Sequence, residues 1–415
     1  MNMLIPCIKC KGRNPENCGR AFCPITAKAE AMFKVKQAIK EDIYSASPPT
    51  PFIGRFGYPF VNIGILSPPE HKEDSWLYDS PHYWSEQDFD IKKIVELRSS
   101  LINSRFKAEV KDAQANDKLI GISQEIGMAD KPVDVEIKID KPRFRLITDA
   151  SLAPMGPSAN LKKVEITSSP KIHTKVDKVV SDTDLKANEA INYLYKSDFN
   201  ENFLSKLLSV GTLGLKKNRK FVPTRWSITA TDDIIAKKLM EDVKQYNEID
   251  YCSYFGSYLG NYYLLLFFPD VWQYELFETY MPQSSWNITN KVAYTTDYEN
   301  YNGRKTYAEN CAGGYYTVRL AILEKLNKLK KQASVLALRF ITGDYAVPLG
   351  VWVTRQATRK ALTNKPIFFE DKSYMLNYAN KLIRKYFNYD VDNLLRESVI
   401  LKNVNQQSKL NKFLF

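Results

Sequence analysis

The sequence predicts an α+β fold of mixed helices and mainly antiparallel sheet, and three observations predict it. Residues 133–139 alternate apolar and charged side chains, as a half-exposed strand does. Residues 251–268 read as two strands that meet near Gly260 and Asn261, an antiparallel connection. Elsewhere, strand and helix patterns do not alternate regularly along the 415 residues, which argues against a doubly wound parallel sheet.

Each element follows from its local pattern. A helix is expected over residues 26–43, after Pro24. Met32, Phe33, Ile39 and Ile43 mark its buried side, and Lys28, Lys34, Lys36 and Lys40 its wet one. Prolines at 48, 49 and 51 stop it. Residues 52–64 are apolar, extended and broken by glycines, which suits a strand and tight turn beside a site or a packed edge. Helices are expected over 88–106, with Ile91, Ile94, Val95, Leu97, Leu101 and Ile102 apolar, and over 111–126. Asp184 can cap a helix carrying Ala187, Ile191 and Leu194. Thr229 or Thr231 can cap another carrying Ile235, Leu239 and Val243. Residues 282–302 are polar and rich in Asn and Tyr. Beyond them Gly313 and Gly314 open a helix running to residue 331, and residues 334–342 and 345–353 read as a strand pair joined at Gly343 and Asp344. Helices then dominate to residue 398. The resulting organisation is a four-cysteine zinc-binding module at 1–25, an N-terminal α+β core at 26–285, a C-terminal α+β region at 286–400 and a flexible tail at 401–415.

Formal net charge is +12 and the pI about 9.1, which fits a polyanionic partner. No apolar run reaches the ~18 residues that span a bilayer. The longest, at 262–268, stops at Pro269 and reads as a buried strand. No targeting signal precedes the first cysteines, so a cytoplasmic protein that keeps off membranes is expected.

Four of the six cysteines, Cys7, Cys10, Cys18 and Cys23, crowd the first 23 residues. In a reducing compartment such a cluster is read as a metal site. Cys7 and Cys10 present two thiolates from one turn, and Cys18 and Cys23 supply the second pair, which suits a structural, tetrahedral Zn²⁺. An iron–sulfur cluster would use the same four thiolates. Cys252 and Cys311 read as packing residues.

At the other end, Gln407, Leu410, Phe413 and Leu414 fit the peptide pattern Gln-x-x-aliphatic-x-x-aromatic-aromatic, which docks on the PCNA sliding clamp (a PIP motif). The Gln fills a polar pocket, and the apolar residues of a short 3₁₀ turn fill a greasy one. Leu414 replaces an aromatic, which is expected to weaken the contact. The competing reading is an amphipathic chain end packed on its own domain.

Two further constellations are candidates. Lys216, Lys217, Arg219, Lys220, Arg225 and Trp226 mix cations with a ring, as contacts to single-stranded or distorted duplex DNA do, although solvated loop charge has the same composition. Arg304, Arg319, Arg339, Arg355 and Arg359 would extend such a surface if they converge. Asp134, Glu136 and Lys138 alternate onto one strand face. Metal-dependent nucleases use such a trio with Mg²⁺, and Asp182 and Asp184 would add ligands. A wet strand face carries the same residues by chance. The three histidines form no i, i+4 pair, and there is no Walker A or G-x-S-x-G motif, so enzyme status stays open.

Several phrases resemble one family. Cys7-x-x-Cys10…Cys18…Cys23-Pro24, Phe52-Ile-Gly54-Arg55-Phe56-Gly57-Tyr58-Pro59, Val179-Val-Ser-Asp182-Thr-Asp184, Val222-Pro-Thr-Arg225-Trp226-Ser-Ile-Thr, Gly313-Gly314-Tyr-Tyr316 and Pro348-Leu-Gly350-Val-Trp352 resemble blocks of the archaeal Nre family of DNA-repair proteins. The resemblance covers nearly the whole chain. It implies DNA-damage repair with clamp interaction, a zinc-finger-like start and two recognised regions, and it supplies no biochemical activity. Three readings follow: a clamp-recruited zinc protein that binds DNA, a metal-dependent nuclease, and an adaptor between the clamp and other repair factors.

Overall fold

The computed structural model describes residues 10, 12–13, 23–140, 142 and 154–406, and the α+β expectation holds for them. They form two compact units. The first takes the described residues up to Ile235 together with Ala346–Gly350. The second takes Ala236–Tyr345 and the described residues from Val351 on.

The first unit is built on a six-stranded sheet of β1 (Asp42–Ser47), β2 (Phe52–Ile53), β3 (Phe60–Ser67), β4 (Ile102–Glu109), β5 (Val133–Ile139) and β6 (Ser158–Ile166), in the order β1-β5-β6-β4-β3-β2. Only the β4–β6 pair is parallel. In β5 the side chains of Val133, Val135, Ile137 and Ile139 are buried and the residues between them face water, as the alternation predicts. These residues join Ile65, Ile102 and Val164 from the sheet and Ile122 and Ile126 from the helix Lys118–Met128 in one core.

Two expected helices end early. The first is Pro24–Ala38, and Ile43 belongs to β1. Phe33, assigned to its inner side, lies 59% exposed, while Ala27, Ala31, Met32 and Val35 are buried. The second is Ile91–Ser99, and the residues expected to continue it form β4. Pairing of β4 with β3 along its whole length satisfies eight residues of backbone at once, which outweighs a local helical spacing. The helix Thr224–Val243 starts at Thr224, after Pro223, so Thr229 and Thr231 lie inside it.

The second unit holds β7 (Cys252–Tyr258), β8 (Asn261–Phe268), β9 (Gln273–Tyr280), β10 (Ala293–Glu299), β11 (Ser334–Ile341) and β12 (Ile367–Phe368), in the order β10-β9-β11-β8-β7-β12. Here β9 and β11 are the parallel pair. Every residue of β11 is buried, because it lies between β8 and β9 with helices over the sheet. Met375, Ala379 and Ile383 of the helix Lys372–Phe387, with Ile400 and Leu401 of the helix Val399–Gln406, pack on Leu264, Leu266, Leu336 and Leu338. The polar stretch at 282–302 contains β10, which pairs with β9 before it over seven residues. The strand expected at 345–353 is absent among the described residues. Gly350, at φ +108°, turns the chain into the helix Trp352–Thr363. Residues 401–406, the first part of the tail expected at 401–415, are helical.

Candidate nucleic-acid interface

The basic run is held by an apolar plug. Phe221 is buried with Ile53, Val61, Ile63, Val110 and Ile120. Backbone bonds fix it on both sides: Phe221 N donates to Val110 O at 2.9 Å, and Val222 N to Ser209 O at 3.0 Å. Around this anchor Lys216, Lys217, Lys220, Arg225 and Trp226 are exposed. Arg225 and Trp226 occupy the first turn of the helix Thr224–Val243. Its start is pinned to β2 where Ile53 N donates to Thr224 Oγ1 at 2.9 Å.

Arg219 departs from this surface. Its side chain is buried, with Nε donating to Gly214 O and Nη2 to Asp182 O, each at 2.8 Å. Burial pushes its pKa below the usual guanidinium value, and Asp182 works against that shift. With Nε and Nη2 each turned onto a backbone carbonyl and the side chain buried, Arg219 shapes the loop and does not present its charge at the surface.

Sequence reasoning missed what lies beside this run. The turn between β2 and β3 presents Phe56, Tyr58 and Phe60 to solvent. Tyr58 packs against Trp226 with ring centroids 5.4 Å apart. Val110 couples the two segments, since its N–H donates to Pro59 O at 2.9 Å while its carbonyl accepts from Phe221. Further cations surround the rings. Arg55 lies over the Phe56 ring at 5.0 Å, Lys107 is exposed on β4, and Lys111 follows Val110 directly. Among the described residues none of Lys107, Lys111, Lys216, Lys217, Lys220 and Arg225 takes part in an ion pair. The signal in the sequence was the interleaving of rings with Gly54, Gly57 and Pro59, which leaves no alternating face to bury them.

The arginines named as an extension lie in the second unit and are engaged there. Arg319 and Arg355 are fully buried, and Arg319 pairs with the equally buried Glu299 at 2.8 Å. Arg339 pairs with Glu278, Arg304 with Asp297 at 3.1 Å, and Arg359 with Glu324 at 2.7 Å. Cations buried in a core or already paired with a carboxylate have little left to offer phosphate.

Asp134, Glu136 and Lys138 do share the outer face of β5. Each, however, has a neighbour of its own. His71 bonds Asp134 at 2.9 Å, Lys138 lies 3.8 Å from Asp42, and Glu136 stands opposite Glu165. Asp182 accepts from the N–H groups of Asp184 and Leu185 at 3.0 Å, a local turn after the helix Thr174–Ser181. Among the described residues no three acids, histidines or cysteines gather where they could hold a metal ion.

Of the proposed zinc ligands, Cys10 and Cys23 are partly exposed, and Cys7 and Cys18 lie outside the described residues. Cys23 caps the helix Pro24–Ala38, its Sγ accepting from Thr26 N at 3.4 Å. Burial pushes the Cys252 thiol up to about 12 and raises that of Cys311 as well, so both are inert packing groups at neutral pH. The clamp-peptide residues Gln407, Leu410, Phe413 and Leu414 also lie outside the described residues.

Comparison with known proteins fixes the relationship. Residues 17–287 match the archaeal Nre N-terminal family, and residues 299–413 match its C-terminal family. The chain belongs to the archaeal Nre family. It is 38% identical over 404 residues to DNA repair protein NreB of Archaeoglobus fulgidus, covering 97% of this chain and 98% of that protein. It is 36% identical over 380 residues to DNA repair protein NreA of the same organism, covering 91% and 94%. Against DNA repair protein NreA of Haloferax volcanii it is 35% identical over 328 residues, covering 77% and 78%. No solved structure matches this Nre protein. No helix among its described residues is long and apolar enough to cross a membrane.

Proposed function

We propose that this Nre-family protein acts in DNA repair, contacts DNA through the cation-and-ring surface at Lys216, Lys217, Lys220, Arg225 and Trp226, and is brought there by the PCNA sliding clamp. The repair role follows the names of its relatives, which match along nearly their whole length. The observation that carries the DNA contact is the first turn of the helix Thr224–Val243. There Arg225 and Trp226 stand exposed, free of acidic partners, on a segment fixed by the buried Phe221. Zn²⁺ held by Cys7, Cys10, Cys18 and Cys23 would brace the N-terminal segment, and the peptide at Gln407–Leu414 would dock on the clamp.

Salt titration of DNA binding tests this reading. Arg225→Ala should flatten the dependence of log K on log salt by about one unit of slope, because one phosphate contact is lost. Trp226→Ala should cost ~1–3 kcal/mol with little change of slope, because stacking releases no counterions. Wild-type binding by both variants would reduce the segment to a solvated loop and remove the proposal.

A further inference from the structure

Four large rings crowd one end of the first sheet. Phe56 is 67% exposed, Tyr58 49%, Phe60 60% and Trp226 45%. A single exposed ring is ordinary, but a cluster of them leaves a contiguous apolar area in water and marks a surface that meets a partner. The turn that carries them is not loose. Phe60 N donates to Gly57 O at 2.9 Å, Gly54 N to Asn62 O at 2.8 Å, and Val110 N to Pro59 O at 2.9 Å. Gly57 sits at φ +89°, where an added Cβ would meet the Phe60 carbonyl at 2.8 Å. The rings are therefore presented on a closed, tied backbone, which lowers the entropy cost of engaging them.

The neighbours say what the partner is. On the outer face of the β3–β4 pair, Phe60 stands opposite Glu109, Asn62 opposite Lys107 and Gly64 opposite Arg105, so beyond one acid two cations continue the face that Phe60 begins. Arg55 lies over Phe56, Lys111 follows Val110, whose N–H is bonded to Pro59 O, and Arg225 precedes Trp226 in the chain. An apolar protein groove would want the rings without the cations. A string of unpaired nucleotides wants both, since its phosphates need cations and its base faces are open for stacking. Intact duplex hides those faces and offers the rings nothing.

We propose that the tip of the β2–β3 hairpin is a base-stacking platform, in which Phe56 and Phe60 stack on unpaired nucleotides, so that the protein selects single-stranded or unpaired DNA over intact duplex. This rests on the DNA-contact reading above and specifies which form of DNA that surface takes.

The test uses the full chain, with fluorescence anisotropy on labelled oligothymidylate and on a blunt duplex of equal length. Phe56→Ala and Phe60→Ala should each weaken oligothymidylate binding about fivefold to a hundredfold. Duplex binding should move by less than about twofold, because phosphate contacts are untouched. A 2-aminopurine placed in the single strand should be quenched on binding wild type and less so on binding Phe56→Ala. Both side chains are exposed, so unchanged melting of the variants confirms that the fold is kept. Arg225→Ala should weaken both DNA forms. If that variant does so while Phe56→Ala and Phe60→Ala keep full oligothymidylate affinity, the stacking platform is overturned, the DNA surface stands, and the rings face a protein partner. If wild type binds neither form at low salt, the stacking platform and the DNA surface fall together.

Discussion

Glu275→Ala should release the helix that ends the described chain. Glu275 lies on β9, fully buried, and caps that helix from a strand it packs against. Its carboxylate accepts from Ser398 Oγ at 2.6 Å, Val399 N at 3.0 Å and Ile400 N at 3.1 Å. Burial pushes its pKa up, and the three donors pull it back toward the ionised form. Alanine strands two backbone donors of the first turn, each worth ~1–3 kcal/mol when left unsatisfied in the interior. The serine hydroxyl can rotate to another acceptor, and the desolvation cost of the carboxylate is recovered, so the net loss should be about 2–4 kcal/mol. Glu275→Gln retains an acceptor oxygen and nearly the same volume, and should cost only about 1 kcal/mol. Ile400 and Leu401 pack on the sheet core through this helix, so its loss should expose them. Urea unfolding of the full chain measures the stability, and limited proteolysis locates the opening. The midpoint should fall further for Ala than for Gln, with new cleavage within Val399–Gln406. DNA affinity should not change. If Gln costs as much as Ala, the effect is one of charge and the capping argument fails; if neither variant differs from wild type, the helix is held by its apolar face alone.

Much of the fold was legible because several patterns are local. The alternation in β5, the turn at Gly260 and the glycine-led helix Ala312–Leu329 each declare themselves within about ten residues. What failed depended on distant partners. Leu101 and Ile102 lie at helical spacing from Ile94 and Val95, yet pairing with β3 draws Ile102 into a strand. The apolar residues at 351–353 suit a strand or a buried helix equally, and packing on β7 and β8 decides for a helix. The site divides in the same way. Arg225 and Trp226 were readable from composition and remain exposed, whereas Arg219 is drawn inward by a carbonyl 37 positions earlier in the chain. Charge run alone cannot separate the two. Nor could sequence say that Phe56, Tyr58 and Phe60 stay outside, since exposure of a ring follows from a turn that brings no opposing face to cover it.

Two predictions concern the chain ends. Purified protein should carry about one Zn²⁺ per chain, and Cys10→Ser should release it, because three thiolates leave the tetrahedron incomplete; iron, or no metal, in elemental analysis of fresh protein would refute the zinc assignment. The clamp peptide should act without the folded units, because its anchors need only a short local turn. Truncation after Gln406 leaves the helix Val399–Gln406 whole, so it should abolish clamp binding in calorimetry while melting and zinc content hold. Phe413→Ala should cost more than Gln407→Ala, because the ring buries the larger apolar area, and Leu414→Phe should tighten the contact by completing the aromatic pair. Should the truncated chain bind the clamp as tightly as the full one, the docking element lies on a folded unit, and the recruitment model fails with the tail.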